Sequence, residues 1–420
     1  MEKAILVTVD FRDGKKWAAE DRAKELKELV RSSGSSVEEE IVSRREAPTP
    51  DLFIGKGKYE ELIRLAGKKK IDMVVFNNEL TPTQLRNLEK GLRGIKVIDR
   101  TQLILDIFAR HARSAEGKIQ VELAQLEYLL PRLTGRGVHL SRLGGGIGTR
   151  GPGEQVLESD KRRIRQQISR LKTELKDLEK RRSSLRKRRK DAMLATVAII
   201  GYTNAGKTTL LNKLTDSGKI AVNKLFSTLD PVGRTYKLPN NLRILFHDTV
   251  GFLYELPHFL VESFKATLEE VKEADLLVHV LDASNPRVHD LDGAVYTVLK
   301  ELGAENKVMI NALNKIDLVE NANSLNRLKK EFNNPVLISA LRGDGIDAII
   351  ERISEVLSGL VTRVKIEIPV NKMDILSMIY EHGKVHKRED RSESVYIEAT
   401  IPVKLRTQID KLKLTNIALQ

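Results

Sequence analysis

Apolar residues recur along the first hundred positions in short runs that alternate with helical patterns. The runs Ala4–Val9, Ile71–Phe76 and Ile95–Asp99 have the length and composition of buried strands. Between them, Trp17–Arg31 and the segment that begins at Thr81 show the spacing of amphipathic helices. Strands that alternate with helices predict a small α/β unit with a largely parallel sheet.

The pattern becomes helical from about residue 100. A first helix is predicted to end near Pro131, with one apolar face formed by Ile119, Leu123, Leu126 and Leu130. A second helix, from about 155 to 190, carries an apolar stripe at coiled-coil spacing. The stripe consists of Ile164, Ile168, Leu171, Leu175, Leu178 and Leu185. Two long amphipathic segments are joined by a Gly-rich segment, Gly144–Glu154. This arrangement predicts a helical hairpin with the Gly-rich segment at its tip.

Strand and helix patterns alternate again in the second half of the chain. They predict a second α/β domain with a mixed, mostly parallel sheet and flanking helices. The tail combines two strand patterns with two helix patterns, as expected of a small α+β domain. The predicted regions are 1–100, the N-terminal α/β subdomain; 101–191, the helical hairpin with its Gly-rich tip; 192–360, the second α/β domain; and 361–420, the C-terminal α+β domain.

Composition excludes several classes of protein. No apolar run reaches the roughly 18 residues needed to span a bilayer, so no membrane span is predicted. The first residues include acidic side chains and no long apolar core, which does not fit a signal peptide. The chain has no cysteine, which excludes disulfides, thiol catalysis and thiolate metal sites. We therefore expect a cytoplasmic protein, acting as a monomer.

Positive charge is concentrated in one part of the chain. The formal net charge is +14, and residues 131–190 alone carry +13 of it. Within this part, Ser159–Lys190 holds fifteen Lys or Arg and only four Asp or Glu. A basic excess this concentrated favours a polyanionic partner such as nucleic acid. A solvated helix face is the ordinary alternative for a run of charges.

The segment GYTNAGKT matches the phosphate-loop pattern G-x-x-x-x-G-K-[ST] in full, between a strand pattern and a helix pattern. In such a loop, backbone N–H groups cradle the phosphates and the lysine reaches the β and γ oxygens. The Ser or Thr hydroxyl ligates Mg²⁺, which makes Mg²⁺ the expected cofactor. The predicted nucleotide-binding residues here are Gly201, Tyr202, Thr203, Asn204, Ala205, Gly206, Lys207, Thr208 and Thr209.

Two further motifs follow in the order that a nucleotide site requires. In HDTVG, Asp248 is predicted to hold Mg²⁺ and the Gly251 N–H to contact the γ-phosphate. In NKID, Asp317 can accept two hydrogen bonds from guanine N1 and N2; adenine lacks that donor pair, so this motif selects GTP. The base-site residues are Asn314, Lys315 and Asp317, with the loop Ser339, Ala340 and Leu341 behind the base.

Lys207 and Gly251 are the candidate catalytic residues. Phe252 follows the D-x-x-G glycine, where many small GTPases place a glutamine that orients water, so slow intrinsic hydrolysis is predicted. Thr228 is the favoured switch threonine and third metal ligand, because it lies 20 residues after Thr208; Thr235 is the alternative. Asn204 makes K⁺ a candidate second cofactor.

These motifs resemble the HflX family of translation-related GTPases. The resemblance rests on GYTNAGKT, FSTLDP, DTVGF and NKID, and outside the nucleotide site on IGKGK and GGGIGTRGPGE. It covers about residues 1–360 and implies a P-loop GTPase domain over 192–360. It also implies a GTPase that binds the large ribosomal subunit and helps to split stalled or idle ribosomes. From Phe252 we further predict that ribosomes stimulate the slow intrinsic hydrolysis. The hairpin and its Gly-rich tip would contact ribosomal RNA.

The Gly-rich segment lacks a G-K-[ST] sequence and follows a helix, so we do not expect it to bind nucleotide. Its glycines would let the backbone approach RNA closely, and its flanking arginines can pair with phosphates and stack on bases. A simple hinge is the alternative. The candidate RNA-binding residues are Arg132, Arg136, Arg142, Gly144, Gly145, Gly146 and Arg150.

Two other functions remain open at this point. One is a GTP-regulated RNA-binding or scaffolding protein in which hydrolysis is incidental. The other is an ATP-dependent RNA-remodelling enzyme with a second nucleotide site in the N-terminal half, based on the Gly-rich loop and on IGKGK (Ile54–Lys58). IGKGK has no G-K-[ST] context, and we predict a turn before a helix there.

Overall fold

The computed structural model describes residues 1–11, 17–133, 152–191, 194–215, 232–254 and 265–411, without the side chains of 152–157, 185–191, 232, 265–267 and 411. These residues form two compact units, one up to Glu179 and one from Lys180 onward. The predicted domain bounds remain predictions.

The N-terminal unit contains a four-stranded parallel sheet in the order β2-β1-β3-β4. Its strands are β1 (Lys3–Phe11), β2 (Ser36–Arg45), β3 (Met73–Phe76) and β4 (Lys96–Asp99). The strands predicted from apolar runs, β1, β3 and β4, are confirmed and supply much of the buried core. Strand β2 was not predicted: it lies at the sheet edge, and its sequence SVEEEIVSRR is mostly polar.

Some helices of this unit begin at residues with side-chain caps. Thr81 and Gln84 form a capping box at the start of α3, and Pro82 occupies its first position. The Ser114 hydroxyl accepts from the Gly117 N–H and divides the predicted helical stretch after residue 100 into two helices. The helices are α1 (Ala19–Ser32), α2 (Lys56–Lys69), α3 (Pro82–Gly91), α4 (Arg100–His111) and α5 (Ala115–Arg132).

Helix α5 buries a different face from the predicted one. Of the predicted apolar strip only Leu123 is buried; the deepest positions are Val121, Ala124 and Gln120. The reason is that α5 packs against α4, which selects the face one position away from the strip.

Helix α6 (Pro152–Asp191) confirms the second predicted long helix. It contacts α5 through polar pairs: Gln167 donates to Glu122 at 2.7 Å and Lys172 to Glu127 at 2.8 Å. Leu171, from the predicted stripe, is buried. The Gly-rich connection lies outside the described residues, so the hairpin remains a prediction.

The second unit contains a six-stranded sheet in the order β10-β9-β8-β5-β7-β6, parallel except for β6. A mixed, mostly parallel sheet is thereby confirmed. The strands are β5 (Ala195–Gly201), β6 (Val232–Lys237), β7 (Arg243–Asp248), β8 (Leu276–Asp282), β9 (Met309–Asn314) and β10 (Pro335–Leu337). The described helices are α7 (Lys207–Leu214), α8 (Lys265–Glu273), α9 (Val288–Glu301), α10 (Ala322–Glu331) and α11 (Ile346–Val356).

The tail forms the expected small α+β domain within this second unit. Its antiparallel sheet has the order β11-β13-β12, from β11 (Val361–Pro369), β12 (Lys384–Asp390) and β13 (Ser394–Pro402). Helices α12 (Met373–His382) and α13 (Val403–Lys411) pack on it around an apolar core. Strand β12, with the sequence KVHKRED, was not predicted because it has almost no apolar pattern.

The turn between β6 and β7 is hydrogen-bonded to this C-terminal domain. The Asn241 side-chain amide donates to the Gly383 carbonyl at 2.8 Å, and Lys384 Nζ donates to the Pro239 carbonyl at 3.3 Å. Asn241 has a positive φ of 67°, a conformation that asparagine tolerates better than most residues. The two domains are therefore joined at the outer end of this strand pair.

A buried ionisable pair lies between β8 and α9. His279 Nδ1 is 3.4 Å from Asp292 Oδ1, and the His279 ring is fully buried. Burial lowers the pKa of His279 to about 3, so the imidazole is neutral at physiological pH. Burial also raises the pKa of Asp292 to about 6, partly offset by His289. The carboxylate form of Asp292 is therefore disfavoured by the fold.

We expect Asp292→Asn to raise the free energy of unfolding by about 1–3 kcal/mol at pH 7.5. The folded-state pKa lies above the ordinary value of 3.8, so the fold loses stability as the pH rises from 3.8 to about 6, and the full effect is present above that range. Below the ordinary value the carboxyl is protonated in both states, and the advantage of asparagine should vanish. Urea unfolding at about pH 7.5 measures the gain in stability, and urea unfolding at about pH 3 tests that the gain disappears. Asp290→Asn, at an exposed position of the same helix, is the control.

Candidate functional site

The phosphate loop connects β5 to α7, as its sequence predicts. Strand β5 ends at Gly201, and α7 begins at Lys207. Gly206 has a φ of +100°, and a Cβ there would lie 2.2 Å from the side-chain nitrogen of Asn314. Only glycine fits this position, because both the backbone conformation and the available space exclude a side chain.

Lys207 is buried beneath this loop, with an exposed fraction of 7%. Its Nζ donates to the Gly201 carbonyl at 3.1 Å and to the Tyr202 carbonyl at 2.7 Å. Burial lowers the pKa of Lys207 to about 8, and the nearby Asp248 carboxylate opposes that shift. A desolvated ammonium group enclosed by a glycine-containing loop is suited to binding phosphate oxygens.

Thr208 and Asp248 form the candidate metal centre. The Thr208 hydroxyl donates to Asp248 Oδ2 at 2.8 Å, and Asp248 is buried at the end of β7. A hydroxyl and a carboxylate side by side are the oxygen donors that Mg²⁺ accepts in phosphate-loop proteins. The two side chains present therefore fit Mg²⁺, as the sequence predicts.

Helix α8 supports the strand that carries Asp248. The adjacent residue His247 has its Nε2 3.3 Å from Glu270 Oε2 on α8, and both side chains are buried. The neighbouring Glu269 is 3.8 Å from Arg182, near the end of α6. Two consecutive acids on α8 thus contact the metal-site strand and the basic helix.

Gly251 lies directly against the phosphate loop. A Cβ at this glycine would lie 2.7 Å from the Thr203 side-chain carbon and 3.0 Å from Lys207 Nζ. The backbone at this position can approach the phosphate loop only because no side chain intervenes. The structure therefore brings together the two candidate catalytic residues, Lys207 and Gly251.

The base-site residues converge on the carboxyl end of β9. The Asn314 side chain donates to the Ala205 carbonyl at 2.8 Å and accepts from the Ala340 N–H at 2.9 Å. The Ser339 hydroxyl donates to Asp317 Oδ1 at 2.6 Å, which orients the carboxylate. Asn314 thus ties the phosphate loop to the loop predicted behind the base, and Leu341 in that loop is 76% exposed.

Asp282 belongs to this site but was not predicted from the sequence. Lys315 Nζ pairs with Asp282 Oδ2 at 2.6 Å, so the carboxylate at the end of β8 fixes the NKID lysine. The sequence signal that could have identified Asp282 is its place at the end of a buried apolar strand, because parallel sheets carry functional groups there.

Thr228 lies outside the described residues, as do six of the candidate RNA-binding residues: Arg136, Arg142, Gly144, Gly145, Gly146 and Arg150. The alternative switch residue Thr235 is held in β6 opposite Leu245, three residues before Asp248. That position in a regular strand ladder favours Thr228, which remains a prediction.

Arg132 is half-buried and bonded to groups of the N-terminal unit, which argues against its predicted role in RNA binding. Its guanidinium donates to the Leu80 carbonyl at 3.2 Å and to buried Asp99 at 3.4 Å. It also stacks 3.5 Å above the Tyr128 ring. Both terminal guanidinium nitrogens are thus bonded within the protein, because Nη1 also donates to the Tyr128 carbonyl at 3.0 Å, and this argues against a role in binding phosphate.

The N-terminal unit offers no phosphate loop at IGKGK. Gly55 directly precedes the first residue of α2, as predicted for a turn before a helix. A cavity of about 540 Å³ lies in this unit, bounded by α3, β4, α4 and α5. Residues 54–58 do not line it, so IGKGK and the cavity do not form a common site.

Family comparisons cover nearly the whole chain. Models described as the GTP-binding GTPase N-terminal region, the GTP-binding GTPase middle region, a 50S ribosome-binding GTPase and the HflX C-terminal domain match residues 20–109, 111–189, 196–315 and 324–416. The last match extends the resemblance seen in the sequence into the tail. Among the described helices, none combines the length and apolar composition required to span a bilayer.

Curated relatives match over almost their full length. GTPase HflX of Caldanaerobacter subterraneus is 44% identical over 408 residues, which are 97% of this chain and 93% of the relative. GTPase HflX of Escherichia coli K12 is 40% identical over 404 residues, covering 96% and 94%. A crystal structure of SsGBP with GDP is 25% identical, covers 86% of this chain and 99% of its own, and has a TM-score of 0.48. The chain belongs to the HflX family of GTPases.

Proposed function

We propose that this chain is a cytoplasmic, monomeric GTPase that binds the large ribosomal subunit and splits stalled or idle ribosomes. The observation that carries the proposal is the combination, in one chain, of a guanine-selective phosphate-loop site with a long basic helix, α6. Residues 131–190 hold +13 of the net charge of +14, which favours a partner rich in phosphate. The family model for residues 196–315, a 50S ribosome-binding GTPase, supports the same partner.

In the proposed reaction, backbone N–H groups of the phosphate loop and Lys207 Nζ bind the phosphates of GTP. Lys207 exchanges its two carbonyl partners for phosphate oxygens, which is favourable because its ammonium is desolvated. Asp317, oriented by Ser339, accepts hydrogen bonds from guanine N1 and N2. Gly251 approaches the γ-phosphate through its backbone N–H.

Thr208 and Asp248 would hold Mg²⁺, with Thr228 as the third protein ligand. When bound, Mg²⁺ neutralises charge that develops on the phosphoryl oxygens. Helix α8 keeps Asp248 in place through the contact between His247 and Glu270. The proposal that K⁺ also contributes rests only on Asn204, an exposed phosphate-loop residue with a φ of 62°.

Intrinsic hydrolysis is expected to be slow. Phe252, at the position where many small GTPases have glutamine, is buried with an exposed fraction of 2% and presents no polar side-chain group to water. We propose that the ribosome supplies or orders the missing group. The RNA-facing residues in this proposal are Arg136, Arg142 and Arg150 with the glycines 144–146, without Arg132.

We expect GTP-loaded protein to shift 70S particles towards free subunits in sucrose-gradient sedimentation. A non-hydrolysable GTP analogue compared with GTP separates binding-driven splitting from turnover. Replacing Gly144, Gly145 and Gly146 with alanine should weaken splitting and leave GTP affinity unchanged, because added methyl groups oppose close backbone approach to RNA. Lys207→Met is the matched variant, with impaired nucleotide binding and an intact Gly-rich segment.

The outcomes separate the proposal from the alternatives. Equal hydrolysis rates with and without large subunits would contradict stimulation by the ribosome. Ribosome binding that persists unchanged in Lys207→Met, with no splitting by wild type, would favour a GTP-regulated RNA-binding or scaffolding protein. ATP binding by residues 1–190 alone would favour a second nucleotide site. Loss of GTP affinity in the alanine variant would contradict the separation of the two sites.

A further inference from the structure

The chain segment after Asp248 is hydrogen-bonded to the phosphate loop. The Thr203 N–H donates to the Phe252 carbonyl at 2.9 Å, and the Phe252 N–H donates to the Gly201 carbonyl at 3.1 Å. Tyr202 and Phe252 thereby form a parallel bridge beyond the ends of β5 and β7. Both backbone polar groups of Phe252 are thus bonded to the loop that would bind phosphate.

A side chain of the phosphate loop adds a third bond. The Tyr254 N–H donates to the Tyr202 hydroxyl oxygen at 2.9 Å. Tyr202 is the second residue of the loop, at a position that the phosphate-loop motif leaves free. Because of this hydrogen bond, both Phe252 and Tyr254 are bonded to the phosphate loop.

This arrangement restricts what residues 251–254 can offer to a reacting water. The Phe252 ring is buried, and its N–H and carbonyl are already bonded. The Tyr254 N–H is bonded to Tyr202, and Gly251 lies against Thr203. Hydrolysis of GTP requires a group that orients the attacking water. The backbone groups of Phe252 and Tyr254 must therefore be released from the phosphate loop before they can serve.

We propose that Tyr202 is a positioning residue. Its hydroxyl holds residues 252–254 on the phosphate loop and thereby restrains basal GTP hydrolysis. We call its hydrogen bond with the Tyr254 N–H the Tyr202 latch. Opening the latch frees the segment to adopt the arrangement in which hydrolysis occurs. The inference rests on the GTP hydrolysis in the proposed function and is independent of the ribosome as partner.

Tyr202→Phe removes the acceptor oxygen and keeps the ring. Loss of one such hydrogen bond changes an opening equilibrium by about three- to tenfold. We expect the single-turnover hydrolysis rate of the free protein to rise by the same factor. GDP affinity is measured alongside, so that any change in nucleotide binding is separated from the change in the hydrolysis step. Deuterium uptake by a peptide spanning residues 252–254 should increase, which reports the latch without any nucleotide.

A second variant removes the other end of the same bond. Tyr254→Pro eliminates the donor N–H, and Tyr254→Ala is its control because it loses the ring and keeps the N–H. We expect the proline variant to hydrolyse GTP faster than the alanine variant. The Tyr202→Phe/Tyr254→Pro double variant should hydrolyse GTP no faster than the faster single variant, because both changes remove the same hydrogen bond.

An unchanged or slower hydrolysis rate in Tyr202→Phe overturns the latch, and so do additive effects in the double variant. Unchanged deuterium uptake in Tyr202→Phe overturns it as well. If wild-type protein hydrolyses no GTP with or without ribosomes, the proposed function fails. The deuterium uptake then still decides whether Tyr202 holds the segment, so the two failures are distinguishable.

Discussion

Replacing Lys207 with methionine should reduce kcat/KM for GTP by about 10²–10³-fold without lowering the free energy of unfolding. The ammonium is the charged group closest to the proposed phosphate position, and a thioether cannot replace its charge or its hydrogen bonds. Its burial, which lowers its pKa to about 8, shows that the fold disfavours the charged form. An apolar side chain of similar length should therefore fit the same space.

Steady-state hydrolysis measures the first effect and urea unfolding the second. Lys213→Met, on the exposed side of the same helix, controls for loss of a lysine and should leave both quantities unchanged. Retained hydrolysis in Lys207→Met would show that the phosphates bind elsewhere. A large loss of stability would mean that the two carbonyl partners of Lys207 hold the loop together.

Asp317→Asn should exchange the base specificity of the site from guanine to xanthine. The carboxylate can accept from guanine N1–H and from its 2-amino group, whereas an amide offers one acceptor and one NH₂ donor. Xanthine carries a carbonyl at C2, which can accept from that NH₂ group. We expect GTP affinity to fall on the order of 100-fold or more, and XTP to become the better ligand.

Competition binding with GTP, XTP and ATP measures the exchange. Asp347→Asn, an exposed carboxylate at the start of α11, is the matched control and should keep the preference for GTP. Loss of GTP binding without any gain for XTP would indicate that Asp317 only supports the loop, through its bond with Ser339.

The sequence pattern predicted the elements whose buried apolar residues follow one another in a run or at a regular spacing. Strands β1, β3, β5 and β9 have apolar runs because they are buried, and the phosphate loop follows from a short contiguous motif. Edge strands behave differently: β2 and β12 are half exposed, so their sequences carry charges in place of an apolar pattern. Their strand conformation comes from pairing with neighbours distant in sequence.

The site residues divide in a similar way. Asp248 and Asp317 belong to motifs whose side chains are predicted to contact ligand, so the chemistry of that contact restricts the residue type. Asp282 and Tyr202 bond to other protein groups. Asp282 lies outside the motifs, and Tyr202 occupies a position that the phosphate-loop motif leaves free. Arg132 shows the converse error: a basic residue beside a glycine-rich segment is committed to a buried carboxylate 33 positions earlier in the chain.

The hydrogen bonds at the β6–β7 turn also limit how the nucleotide site can rearrange. Strand β6 follows the segment that contains Thr228, and β7 ends at Asp248, so this strand pair connects two parts of the site. Sliding the pair along β5 by two residues would displace its turn by about 7 Å. Such a slide would break the bonds of Asn241 and Lys384 to their partners across the domain boundary. The bonds to the C-terminal domain therefore oppose a change of strand register, and we expect any rearrangement of the site to occur in the loops at the inner ends of the two strands.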